Sequence, residues 1–433
     1  MSARLGSASR GAELGLLIAP VALVLLGWRS LEASGVALPS GTGRIVTQFL
    51  LTAFAGHAGL RVFTPHAAPV LYPVAMVLAA TGLIATLRLA PSSAGDQAHW
   101  ISLGTAAMVT AAALRDQVWR LRTATYTSAA VAAALLVLTG IAGTTINGAR
   151  LWFSVGGQLV QTTELIKLLV VVFLAGFLSR HGPALGSWST RLGGRRYSAL
   201  PVAAPLVLAL SFLLGTLALL RDLGSVALLL ALTTTGLVLA TGKAWLAAIG
   251  LGLLVVVGAA GYVTFDHVEE RVDVWLDPHA DPLGSGFQTL QSSYAIAAGG
   301  VTGEGWGRGS PQSIPAASTD YVFSAVAEEL GLLGAAAVIA LYVTLAFGGL
   351  RVALDARDGF QRMLAALASL LIASQAAIII AGNLRLIPTT GITLPFVSYG
   401  GSSLVVNFVL VGLVLAISAA GPTPQDGAAP TRR

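Results

Sequence analysis

Twelve stretches of nearly unbroken apolar sequence recur along the chain, at about residues 14–28, 45–60, 69–87, 99–114, 126–143, 160–178, 199–220, 223–240, 244–265, 322–348, 361–381 and 402–419. A bilayer core of roughly 30 Å takes a helix of about 20 residues. Within that core no water reaches the backbone, so only helices or a closed barrel satisfy every N–H and C=O. The stretches lack the period-2 alternation a barrel needs. The sequence therefore predicts an all-α integral membrane protein, a polytopic bundle of about twelve transmembrane helices. Composition excludes the alternatives: only 10% of the 433 residues are charged, against about 25% in soluble domains, so a soluble multidomain enzyme is ruled out. Cys is absent, which removes disulfides, thiolate nucleophiles and iron–sulfur clusters, and the His residues form no H-E-x-x-H helix.

The first span follows Arg4 and Arg10 without a small-x-small cleavage site, and reads as a retained anchor. If the chain starts in the cytoplasm, sixteen Lys and Arg fall inside and eight outside, with Lys167 left within a span; the positive-inside rule then places both termini in the cytoplasm. Residues 420–433, rich in Pro, Gly and Thr, have nothing to bury and read as a disordered cytoplasmic tail. One connection stands apart. Residues 266–320 form a long extracytoplasmic loop holding Asp266, Glu269, Glu270, Asp273, Asp277, Asp281, Glu304 and Asp320. Loops of this length are commonly functional, although an acidic solvated loop has the same composition. Its middle, Phe287 to Ala298, is apolar enough for a short helix on or in the outer surface.

Within the sixth span, Glu164 and Lys167 lie three residues apart, on one helix face. Ionisable groups at such depth cost about 2.5–3.5 kcal/mol each by insertion scales, so they pair, face the interior or line a wet cavity. An ion pair that only fixes packing satisfies the spacing equally well. Asp222, after Arg221, opens the eighth span and reads either as an N-cap or, with Arg221, as an outer-face charge pair. Near the end of the eleventh span, Arg385 precedes a run of Pro, Gly, Thr and Ser that reaches Ser398, Ser402 and Ser403. That run breaks the helix and leaves N–H groups and hydroxyls suited to a polar or anionic ligand, or else it is a tight turn. All these groups converge on one membrane face. A site open to the outer leaflet, acting on a phosphorylated lipid headgroup, accounts for them better than a channel, which needs polar groups continuing to the other face.

At these segments the sequence resembles the shape, elongation, division and sporulation (SEDS) family of RodA/FtsW-type peptidoglycan polymerases, and within it the RodA-like proteins of actinobacteria. The matching motifs, in order, are Gly148-Ala149-Arg150-Leu151-Trp152, Gln161 to Lys167, Asp222-Leu223-Gly224-Ser225, Asp281 to Gln288, Thr319 to Phe323, Ala327-Glu328-Glu329-Leu330-Gly331, and Leu386 to Gly391 through Leu394 to Ser403. Two positions depart from the family's usual Pro-containing forms, at Thr162 and at Leu220-Arg221. The resemblance covers about residues 70–419 and makes residues 1–68 two additional N-terminal helices before a polymerase core at 69–419.

The resemblance implies a peptidoglycan glycosyltransferase of the bacterial cytoplasmic membrane that polymerises lipid II on its outer face. Its implied partner is a class B penicillin-binding protein transpeptidase, and no nucleic acid is involved. It also implies Asp281 as the catalytic base. Substrate-binding candidates are Glu164, Lys167, Arg150, Arg221, Asp222, Arg385, Ser398, Ser402 and Ser403, and a divalent ion, Mg or Mn, is a candidate aid. A lipid II flippase and a noncatalytic scaffold that recruits a transpeptidase are the competing readings.

Overall fold

The computed structural model describes residues 5–146, 148–186, 189–192, 195–198 and 200–420; the expected disordered tail lies outside them from residue 421 on. In chain order the elements are α1 (Leu5–Leu16), α2 (Ile18–Ala33), α3 (Thr42–Phe63), α4 (Leu71–Leu89), α5 (Ala94–Ala113), α6 (Thr125–Ala142), β1 (Thr144–Ile146), β2 (Ala149–Val155), β3 (Gln158–Gln161), α7 (Thr162–Leu185), β4 (Ser189–Leu192), β5 (Arg195–Ser198), α8 (Leu200–Leu219), α9 (Leu223–Thr241), α10 (Trp245–Thr264), α11 (Asp266–Leu276), α12 (Phe287–Gly299), α13 (Val322–Leu354), α14 (Gly359–Asn383) and α15 (Gly401–Ala419).

Among the described residues, eleven segments are long and apolar enough to cross a membrane: Arg10–Ala33, which joins α1 to α2, and α3, α4, α6, α7, α8, α9, α10, α13, α14 and α15. The remaining expected span lies in α5, which is less apolar because Asp96, Gln97 and His99 occupy its start. Yet α5 runs parallel to α15, with Trp100 against Gly401, Phe408 against Gly104 and Met108 against Gly412. Small residues at these crossings let the two backbones approach closely, and α5 traverses the bundle beside its partner as the twelfth expected helix.

α4 forms the middle of the bundle, buried on nearly every side from Leu71 to Leu87, with α2 and α13 packed against it. α8 and α10 lie at the rim, their apolar side chains largely exposed, as suits helices whose solvent is lipid.

The connections hold more structure than expected. β1, β2 and β3 form an antiparallel sheet, and β4 pairs with β5. The segment 266–320 is not an open loop: α11 and α12 occupy much of it, and the helix expected at Phe287 to Ala298 is α12.

α13 carries an internal break that the sequence reading treated as continuous helix. Gly331 takes φ 64 and ψ −167, leaving nearby backbone groups without helical partners. The glycine-rich segment before the helix supplies them. Leu332 N–H donates to the Gly300 carbonyl at 2.9 Å and Leu333 N–H to that of Val301 at 3.2 Å, while the Glu328 and Glu329 carbonyls accept from the N–H groups of Glu304 (3.1 Å) and Gly305 (2.8 Å). Irregular backbone at such a position persists only when protein satisfies it in this way. Side chains lock the break. Arg88 Nε donates to Glu329 Oε1 at 3.0 Å and Arg88 Nη2 to the Gly309 carbonyl at 2.9 Å; Gly307 N–H also donates to Glu329 Oε1, at 3.0 Å. A Cβ on Gly331 would stand 2.3 Å from the Gly303 nitrogen, in a backbone region that L-residues avoid. Gly331→Ala is therefore expected to destabilise the protein by about 2–4 kcal/mol, seen as a lower thermal midpoint in detergent. An unchanged midpoint would show that the break is free to relax.

Candidate active site

The buried charges of α7 are paired as their spacing requires. Lys167 Nζ donates to Glu164 Oε1 at 2.8 Å and to Gln375 Oε1 of α14 at 3.2 Å, and both charged side chains are almost wholly buried. Gln375 Nε2 then donates to the Thr393 carbonyl at 2.7 Å, and Thr393 Oγ1 to Ser403 Oγ at 2.8 Å. This chain ties α7 and α14 to the segment between α14 and α15. Lys167 is held beneath that segment, closed off by its partners.

The segment itself, residues 384–400, is built as an ordered turn. Ser398 Oγ accepts from Leu394 N–H at 2.8 Å and donates to the Thr319 carbonyl at 2.5 Å, and Ser402 Oγ accepts from Gln161 N–H at 3.1 Å. Of the three serines named from the sequence, Ser398 thus ties the turn to Thr319 ahead of α13, Ser402 ties the start of α15 to β3, and Ser403 ties α15 to Thr393 of the turn. Arg385 Nη2 donates to the Trp275 carbonyl, while Trp275 Nε1 donates to the Arg385 carbonyl, fastening the turn to the end of α11. Arg150 lies on β2, exposed, donating to Thr145 Oγ1 at 3.2 Å and to the Gly140 carbonyl at 3.0 Å. Asp222 is the N-cap of α9, accepting from Ser225 N–H at 3.0 Å and Ser225 Oγ at 2.7 Å. All these groups stand at one end of the bundle, though on separate elements.

Asp281 lies between α11 and α12. Its carboxylate accepts from the N–H groups of Gly284 (3.1 Å) and Ser285 (3.0 Å), which fixes its direction at the entry to α12. The side chain is exposed and lines a groove of about 710 Å³ shared with Asp266, Glu269, Glu270, Asp273 and Asp277. Six carboxylates make this wall strongly acidic.

A smaller cavity of about 250 Å³ adjoins it. Glu270, Val274 and Ser285 line both spaces, and the smaller one adds His267, Arg271, Asp320, Tyr321 and Gly391 among its walls. Burial raises the Asp320 carboxyl above its ordinary range, opposed by Arg271 and by a hydrogen bond from Thr319. Burial lowers His267, helped by the charges of Arg271 and Arg221 and opposed by Asp266 and Glu270. His267 and Arg271 were not singled out from the sequence. Their spacing of four residues on a short helix was the available signal, but nothing local showed which way that face points.

Among the described residues no three His, Cys, Asp or Glu side chains converge as a metal-binding group. With only the described residues to hold it, a Mg or Mn ion would draw most of its oxygens from a substrate.

The family model described as "Cell cycle protein", FtsW/RodA/SpoVE, matches residues 61–421. The chain is 34% identical over 383 residues to the peptidoglycan glycosyltransferase RodA of Mycobacterium tuberculosis, covering 86% of this chain and 82% of that protein. It is also 34% identical over 345 residues to a probable peptidoglycan glycosyltransferase FtsW of Thioalkalivibrio sulfidiphilus, covering 77% and 84%. In fold it resembles a chain from a peptidoglycan synthase complex that coordinates polymerization and crosslinking, with a TM-score of 0.62, 24% identity, and coverage of 88% of this chain and 98% of that one.

Proposed function

Since the chain belongs to the FtsW/RodA/SpoVE family of cell cycle proteins and is a multi-pass membrane peptidoglycan glycosyltransferase, we propose that it polymerises lipid II at the outer face of the bacterial cytoplasmic membrane, with both termini inside. Residues 1–68 then add two spans to a polymerase core at 69–419. The observation that carries this reading is Asp281, a fixed yet accessible carboxylate in a wide groove beside a cavity lined by Arg271 and His267.

The 4-hydroxyl of an acceptor sugar is far too weak an acid to ionise unaided at neutral pH, and needs a positioned base as it attacks. Asp281 takes that proton. A bond forms between the 4-oxygen and the donor's anomeric carbon, and the bond from that carbon to the diphosphate oxygen breaks, its electron pair leaving with the polyprenyl diphosphate. Attack from the side opposite the leaving group inverts an α-linked donor to a β-linked product. The departing charge calls for nearby cations. Glu164 and Lys167 support the site from beneath, through Gln375 and the turn that contains Thr393.

The proposed partner is a class B penicillin-binding protein, and α13 is the face it would use. Ala336, Ala337, Leu332, Leu333 and Phe347 are exposed along α13, whereas Ala335 packs inward and α14 is mostly buried. If the partner's transmembrane helix binds the competent arrangement of the adjoining 266–320 segment better than others, it raises the polymerisation rate without any crosslinking chemistry. Reconstitution of the purified chain with lipid II, alone, with a partner lacking its catalytic serine, and with a partner lacking its transmembrane helix is the test. Glycan strands are expected in all three, most with the inactive full-length partner. Equal yields would remove the activation, and no polymer under any condition would sink the lipid II reading.

A further inference from the structure

Where the donor's diphosphate sits follows from where it cannot. The groove around Asp281 carries six carboxylates, and like charges at such range repel strongly. Of the cations named from the sequence, Lys167 is enclosed by Glu164 and Gln375, Arg385 is held on the Trp275 carbonyl, and Arg150 is bonded to Gly140 and Thr145. Ser285, Val274 and Glu270 line both spaces, and basic side chains appear only beyond them, facing Asp320. On the far side, His267 and Arg271 lie one turn apart on α11, with Arg221 close enough to His267 to bear on its charge.

We propose that Arg271, His267 and Arg221 form the subsite that grips the diphosphate of the polyprenyl-linked donor, and that Ser285 marks the boundary at which the sugar crosses into the Asp281 groove. This rests on the glycosyl-transfer reading above.

Three features fit the role. His267 Nε2 is buried and has no hydrogen-bond partner among the described residues, a costly state for a ring nitrogen that a phosphate oxygen or its proton relieves. The Arg271 guanidinium rests against Gly391, where a Cβ would come within 3.2 Å of Nη2; Gly391, at φ 71, keeps the turn's backbone low enough to leave that space. Asp320, across the cavity, holds Arg271 in place electrostatically without forming an ion pair with it among the described residues. Burial favours the protonated form of that carboxyl, so it yields when a more negative group arrives. Glu270 stands on the shared wall, at the acidic side.

The test measures binding apart from turnover. The full chain in nanodiscs is titrated with farnesyl diphosphate, farnesyl monophosphate, farnesol and inorganic pyrophosphate, for wild type, Arg271→Met, Arg271→Lys, His267→Ala and Asp281→Asn, with melting followed in parallel. Farnesyl diphosphate is expected to bind wild type and Asp281→Asn alike, and to bind Arg271→Met about tenfold or more weakly, from the lost charge-assisted pair. His267→Ala should lose roughly fivefold, the scale of one hydrogen bond, and Arg271→Lys should fall between wild type and Arg271→Met while melting like wild type. Farnesol binding should not change. Binding of farnesyl diphosphate within twofold of wild type in both Arg271→Met and His267→Ala would overturn the subsite. Pyrophosphate binding as tightly as farnesyl diphosphate would overturn the lipid source in favour of a free-phosphate site. Wild-type polymerisation of lipid II, run alongside, separates this outcome from failure of the underlying function.

Discussion

Replacing Asp281 by Asn is expected to abolish glycan polymerisation, by at least about 10²-fold and up to 10⁴-fold, the range a positioned general base contributes. Insertion and melting should stay as in wild type. The substitution is mild structurally because the amide oxygen still accepts one of the two N–H groups, of Gly284 or Ser285, that now orient the carboxylate, and the side chain is exposed. What disappears is the capacity to take a proton. Asp277, four residues earlier on the same groove, already accepts from His279 N–H at 3.0 Å, and Asp277→Asn should cost far less. Near wild-type polymer from purified Asp281→Asn protein would falsify the base assignment, and loss confined to Asp277→Asn would move it four residues upstream.

The second large effect belongs to α7. Glu164→Gln leaves the Lys167 ammonium buried with only Gln375 to compensate it, and removing one member of a buried pair typically costs about 3–5 kcal/mol. Stability and activity should fall together, since Gln375 is also the link to the Thr393 carbonyl. The double variant Glu164→Gln/Lys167→Met removes the stranded charge and is expected to regain most of the melting temperature without regaining activity. If both single variants melt and polymerise like wild type, the pair matters neither to packing nor to the site. If the double variant recovers both properties, the pair is structural alone.

How much of this was legible from residues alone depends on how local each cause is. The spans could be read because an apolar helix in lipid satisfies its own backbone, so no distant partner needs to be known. Glu164 and Lys167 could be paired for the same reason, being one turn apart. The sheet of β1 to β3 was readable in principle: Gly156 and Gly157, both with positive φ, form the two-residue link between β2 and β3, a strong hairpin signal, hidden because the segment lay between two spans and was treated as connection. The break at Gly331 was harder. Its replacement hydrogen bonds come from residues some 30 positions earlier, and the only local hints were two adjacent glutamates in a span and the glycines from Gly299 to Gly309. The cavity of His267 and Arg271 depends on where the turn bearing Gly391 returns, which no window along the chain contains.

The ion pair between Arg88 and Glu329 also bears on how the protein is made. Lys167 enters the membrane with Glu164 three residues ahead of it, so its charge is matched from the moment its helix forms. Arg88 has no such neighbour; its carboxylate lies 241 residues later. At synthesis rates of roughly 5–20 residues per second that interval is about 12–48 s, during which α4, destined for the middle of the bundle, carries an unmatched guanidinium at its end. Because that end lies next to Ala90 and Pro91, where the helix stops, the charge can wait at the headgroup level and be drawn inward only when α13 arrives. Assembly of the centre is thereby timed by the last third of the chain, which alone carries the carboxylate that matches Arg88.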